Sequence, residues 1–108
     1  MLNAWYRKEM KKLIPPMIEK WEHKLGVKVE SWLVKLMKTK WGTCNPKSKR
    51  IILNLELIKK PPHCIEYIVV HEMLHLLERT HSETFNLLMD RHYPNWESVR
   101  KELNEFVL

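Results

Sequence analysis

At 108 residues the chain has room for one small domain, which excludes multidomain enzymes and long repeat arrays. Hydrophobic residues make up 44% and charged residues 30%, a globular balance, and no apolar run approaches the ~20 residues that cross a bilayer. The net charge of +6 admits an anionic partner, but the basic clusters lack aromatic interleaving, so a solvated Lys-rich surface is preferred to a nucleic-acid interface.

The chain opens without a charged segment followed by an apolar stretch and cleavage site, so the expected setting is soluble and cytoplasmic, with no membrane partner. Residues 3–25 read as a helix, with Trp5, Met10, Leu13, Ile14, Met17, Ile18, Trp21 and Leu25 on one stripe. Pro15 and Pro16 are expected to kink or split it, and Gly26 to stop it. Residues 27–39 alternate more like a strand, as do residues 50–55. The stretch 41–48 between them is rich in turn residues, which predicts an antiparallel hairpin; a pair this small must pack on helices, with room for a third strand.

Pro61 and Pro62 open the next helix, since proline is tolerated in a first turn. Residues 64–77 are apolar almost all round, the mark of a buried central helix. A further helix is expected over 82–91, capped by Ser82, with Phe85, Leu88 and Met89 inward. Pro94 starts the last helix, with Trp96, Val99, Leu103, Phe106 and Val107 apolar, either as intramolecular core or as the face of a homodimer. The fold class is therefore α+β: a small antiparallel sheet packed on a central helix, with flanking N- and C-terminal helices. The whole of 1–108 is read as one domain, with the tail from about 94 to 108 a candidate regulatory segment.

The central helix carries His71-Glu72-Met73-Leu74-His75, the HExxH pattern. Positions four apart differ by about 40° around a helix, so both imidazoles can converge on one ion. Glu72 projects roughly 100° away, where it can reach a water on the ion's open side. These are nearly the only polar residues in an apolar segment, and a buried carboxylate without a partner costs several kcal/mol, so an ion or ion-bound water is the natural compensation. A catalytic zinc takes three protein ligands. Candidates for the third are His81, His92, His63, Cys44 and Glu78, with His81 favoured. On a continuous helix His81 would stand ~9 Å beyond His75, so the helix must end between Glu78 and Thr80 and let the chain turn back. Cys44 and Cys64 lie outside any CxxC pairing and read as reduced thiols, although Cys64 shares a helical face with His71.

Together, Trp41-Gly42-Thr43-Cys44, Ile52-Leu53-Asn54-Leu55, Val69-Val70 before the HExxH, and His81-Ser82 with Phe85 resemble the minigluzincins. These are minimal metallopeptidases similar to the catalytic domains of certain membrane metallopeptidases. The resemblance covers most of the chain, roughly residues 25–96. It implies a three-His zinc site of His71, His75 and His81, and a small sheet whose edge strand binds substrate in extended form. It also implies latency, with Glu102, Asn104, Glu105 or the chain terminus reaching the cleft within one molecule or between two. Glu78 occupies the place where metzincins keep a glycine, which counts against that group.

The expected activity is that of a zinc metalloendopeptidase with one Zn2+ per chain, acting on a peptide or protein substrate through a metal-activated water. Glu72 is the general base. Tyr67, Tyr93 and His92 are candidates for stabilising the oxyanion; Asn54 reads as a strand-end hydrogen-bonding residue and Trp41 as a core anchor beside the site. Two alternatives remain: a basic protease acting on nucleic-acid-associated proteins, which the His81-Ser82 and Phe85 spacing also resembles, and a non-catalytic zinc-binding scaffold.

Overall fold

The computed structural model describes residues 2–104. Helix α1 (Leu2–Leu25) buries Met10, Ile14, Ile18, Trp21 and Leu25, the expected stripe. It runs unbroken through Pro15 and Pro16, correcting the expected kink or split. Both prolines face solvent, and the carbonyls they leave without a partner belong to Lys11 and Lys12, which are exposed and open to water. The buried stripe therefore keeps its register. Gly26 ends the helix at φ +69, a left-handed conformation that glycine adopts without strain.

The sheet differs most from expectation. Among the described residues it has three strands, β1 (Ser31–Lys35), β2 (Gly42–Asn45) and β3 (Arg50–Asn54), in the order β1-β3-β2. The expected antiparallel partner of β3 was the segment 27–39, but β1 pairs with β3 in parallel, Leu33 opposite Ile52. The hairpin is instead β2–β3, with Thr43 opposite Ile52. The turn signals explain this. Asn45 accepts backbone hydrogen bonds from Lys47 (3.0 Å) and Ser48 (3.3 Å), and Lys49 takes φ 54, so the reversal falls directly after Asn45. The residues just before it become the hairpin strand, and β1 is left for the far edge. The sheet is mixed, within an α+β fold.

Central strand β3 buries Ile51 and Leu53, and ends on Asn54, which is fully buried. The Asn54 Nδ2 donates to the carbonyls of Met37 (2.9 Å) and Lys40 (2.7 Å). Its Oδ1 accepts from the Glu56 amide at 3.0 Å, capping a short 3-10 helix over Leu55–Lys59. One side chain thus fixes the β1–β2 connection against the end of β3.

Helix α2 (Pro62–Leu74) is the centre of the molecule, packed by α1, the 3-10 turn, β2 and β3, and by α3 (Glu83–His92) and α4 (Trp96–Asn104). Trp96, Val99 and Leu103 of α4 are buried in the chain's own core; Phe106 and Val107 lie outside the described residues. No helix among the described residues is long and apolar enough to cross a membrane.

Replacing Asn54 by Ala takes the partner from the Met37 and Lys40 carbonyls and from the Met37 and Glu56 amides. The expected loss of stability is about 3 kcal/mol in urea unfolding; a loss below about 0.5 kcal/mol would show that Asn54 does not hold the connection.

Candidate metal centre

The site is assembled where α2 stops. The α-helix ends at Leu74, a turn before the expected limit near Leu77. His75, Leu76 and Leu77 donate their amides three residues back, to Glu72, Met73 and Leu74, at 3.2, 3.0 and 2.9 Å. This tightened turn satisfies the terminal carbonyls before the chain reverses through Glu78, Arg79 and Thr80. The Thr80 hydroxyl donates to the Glu78 carboxylate at 3.3 Å. Ser82 then caps α3 by accepting from the Phe85 amide at 3.3 Å, which leaves His81 at the head of that helix.

The reversal brings His81 back over α2. Its Nε2 lies 3.1 Å from the Nε2 of His75, and one nitrogen from each of His71, His75 and His81 lies within 4.8 Å of the others. The second nitrogens set the tautomers. The His75 Nδ1 is 3.1 Å from the Glu78 carbonyl, which can only accept, so Nδ1 carries the proton and Nε2 is bare. The His71 Nδ1 donates to Glu72 Oε2 at 3.2 Å. Desolvation, and then the neighbouring His71 and His75 rings, push the His81 pKa down, against the pull of Glu72. His81 is therefore neutral near pH 7, with a lone pair to offer. The donor set fits a zinc ion: at Zn–N distances of about 2.0–2.1 Å, tetrahedral ligands stand roughly 3.3 Å from one another.

Phe85 is the residue whose role the sequence did not declare. Buried on α3, its ring lies 5.1 Å from the centroid of His71, 4.7 Å from His75, on which it stacks, and 5.2 Å from His81. It is a common floor for the three imidazoles. Gly42 is the second such residue. A Cβ there would stand 3.0 Å from Ile68 Cγ2 and 3.1 Å from Glu72 Cγ, so β2 lies directly against the carboxylate-bearing turn of α2. A glycine within a strand is the signal for such close approach.

A cleft of about 600 Å³ runs between Gly42–Asn45 of β2 and the trio His71, His75 and His81. Glu72, only 5% exposed, also lines it. On the other side of Glu72 a smaller cavity of about 240 Å³ is lined by Trp41, Tyr67 and Leu103, and shares Lys40, Gly42, His71 and Glu72 with the first.

The other candidates stand elsewhere or do other work. His63 pairs with Glu102 at 2.8 Å, with Cys64 beside them, at the far end of α2. His92 and Tyr93 line a separate cavity with Trp21 and Glu66. Tyr93 donates to the His63 carbonyl at 2.9 Å, a structural bond. Cys44 does line the cleft, but burial, and then the charge of Glu72, push its thiol up to about 11, so it stays protonated at neutral pH. Glu78 contributes its carbonyl, not its carboxylate.

The contact at Gly42 is testable. Gly42→Ala should lower unfolding stability by about 1–3 kcal/mol, because the new methyl presses on Ile68, Glu72 and the Ile52 carbonyl at once; unchanged stability in urea titration would contradict the packing.

A family model described as YgjP-like, metallopeptidase domain, matches residues 1–106. No curated protein sequence matches the chain. Among solved structures, it is similar to the metallopeptidase zymogen of Methanocaldococcus jannaschii, jannalysin, with a TM-score of 0.74 over 85% of this chain and 94% of that one. Sequence identity with it is 17%, so this likeness speaks for the fold, in agreement with the minigluzincin resemblance. By the match across nearly its whole length, the chain belongs to the YgjP-like metallopeptidase family.

Proposed function

We propose that the chain is a zinc-dependent endopeptidase, with one zinc held by His71, His75 and His81 and with Glu72 as general base. One observation carries this reading: three imidazole nitrogens within 4.8 Å of one another, beside a buried carboxylate, on the wall of an open cleft. Zinc, when bound, supplies Lewis acidity to water and to a carbonyl oxygen. Glu72 takes a proton from the attacking water and passes it to the leaving amine. Its placement suits both transfers, since the surrounding apolar helix limits its motion and β2 closes one side. The Glu78 carbonyl holds His75 in the tautomer that leaves Nε2 free. The outer edge of β2 is unpaired within the described sheet and borders the cleft, an edge on which an extended peptide can add as a further strand. Tyr67, lining the cavity beside His71 and Glu72, is better placed for the oxyanion than Tyr93 or His92.

A latent form belongs to the same reading. Asn104 lines the smaller cavity, whereas Glu102 is engaged by His63 away from the cleft; Glu105 and the chain terminus lie outside the described residues.

Glu72→Gln separates an enzyme from a zinc-binding scaffold. It should keep one zinc per chain by plasma mass spectrometry while cleavage of a casein or quenched-peptide substrate falls about 10²–10⁴-fold; undiminished cleavage would refute the assignment of Glu72. His81→Ala should lose most of the zinc, and full retention would move the third ligand elsewhere.

A further inference from the structure

Four basic side chains line the two cavities that meet at the candidate centre. On other parts of the surface three lysines sit beside carboxylates: Lys12 is 3.1 Å from Glu9, Lys20 is 2.9 Å from Glu66 and Lys59 is 3.0 Å from Glu56. Lys47 and Arg79 line the larger cavity, Arg100 the smaller, and Lys40 both. All four are exposed, and none makes an ion pair among the described residues. The only acidic residue lining either cavity is Glu72, which is buried and already accepts from His71. The two cavities meet at His71 and Glu72, so the cations stand on both sides of the reacting centre. Lys40 precedes the edge strand β2 and Lys47 follows it.

We propose that the substrate is an acidic peptide segment, carrying Asp or Glu on both sides of the bond that is cut. Lys47 and Arg79 read one side, Lys40 and Arg100 the other. A chain laid along β2 advances ~3.3 Å per residue, so the acidic positions fall within about three residues of the cut on either side. The cations keep such a segment in register on the edge strand, and a basic segment is repelled from a cleft with no other carboxylate to receive it. This inference rests on the peptidase reading above.

The test uses the full chain carrying Glu72→Gln, loaded with zinc, and three fluorescein-labelled decapeptides with one neutral centre flanked by Glu, Gln or Lys. Exposed charge pairs are individually weak, but four acting together should make the Glu peptide bind about tenfold tighter than the Gln peptide in fluorescence anisotropy. The Lys peptide should bind weakest, and the differences should collapse between ~0.05 and ~0.5 M salt. Adding Lys47→Glu and Arg79→Glu cancels the charge of Lys40 and Arg100 and should abolish the order, with circular dichroism and zinc content reporting the fold; if that variant fails to fold, the salt dependence decides. Equal binding of the three peptides overturns the proposal. So does tighter binding of a single-stranded oligonucleotide of the same net charge, which would assign the groove to nucleic acid. Zinc-loaded chain with Glu72 intact separates the two readings. Cleavage indifferent to charge sinks the acidic preference and keeps the peptidase; charge-ordered binding without cleavage of any peptide does the reverse.

Discussion

Everything at the site follows from placing three polar side chains, two of them buried, along one nearly apolar segment. From Ile68 to Leu77 only His71, Glu72 and His75 are polar, and the helix that bears the first two is packed by the other helices, the 3-10 turn, β2 and β3. Taking imidazole and carboxylate groups out of water costs several kcal/mol unless each finds a partner. The structure supplies partners from within: Glu72 accepts from His71, His75 donates to the Glu78 carbonyl, and the remaining nitrogens converge with that of His81. A cation at that convergence is the arrangement in which all three lone pairs are used.

The rest of the fold reads as support for that convergence. Asn54 locks the β1–β2 connection, and the connection delivers Gly42 to within van der Waals reach of Glu72. The tightened turn after Leu74 and the Ser82 cap together determine where His81 stands. Phe85 occupies the space beneath the three rings, so their orientations depend on apolar packing as well as hydrogen bonds. With about a hundred residues, the chain has little core to spare, and a metal bound only by the folded form adds to its stability.

The helices were largely legible because their periodicity and caps are local. The stripe from Met10 to Leu25, the Ser82 cap and the need to reverse before His81 could all be read from residue spacing. The path of the sheet could not, because strand pairing is a long-range choice. The segment 41–48 carries both turn residues and a four-residue strand, and nothing local says that β1 belongs on the other edge in parallel. Pro15 and Pro16 misled for a related reason: their cost depends on whether the freed carbonyls meet water, which only the packed structure decides. Gly42 and Phe85 were visible as residues, but their roles arise from contacts across the fold.

The central claim is a three-imidazole zinc site, and zinc K-edge X-ray absorption on the zinc-loaded chain tests it most directly. The account predicts nitrogen and oxygen scatterers at about 2.0–2.1 Å, with the multiple scattering of three imidazoles and no sulfur. A sulfur shell near ~2.3 Å would contradict it, placing Cys44 or Cys64 on the metal in place of a histidine.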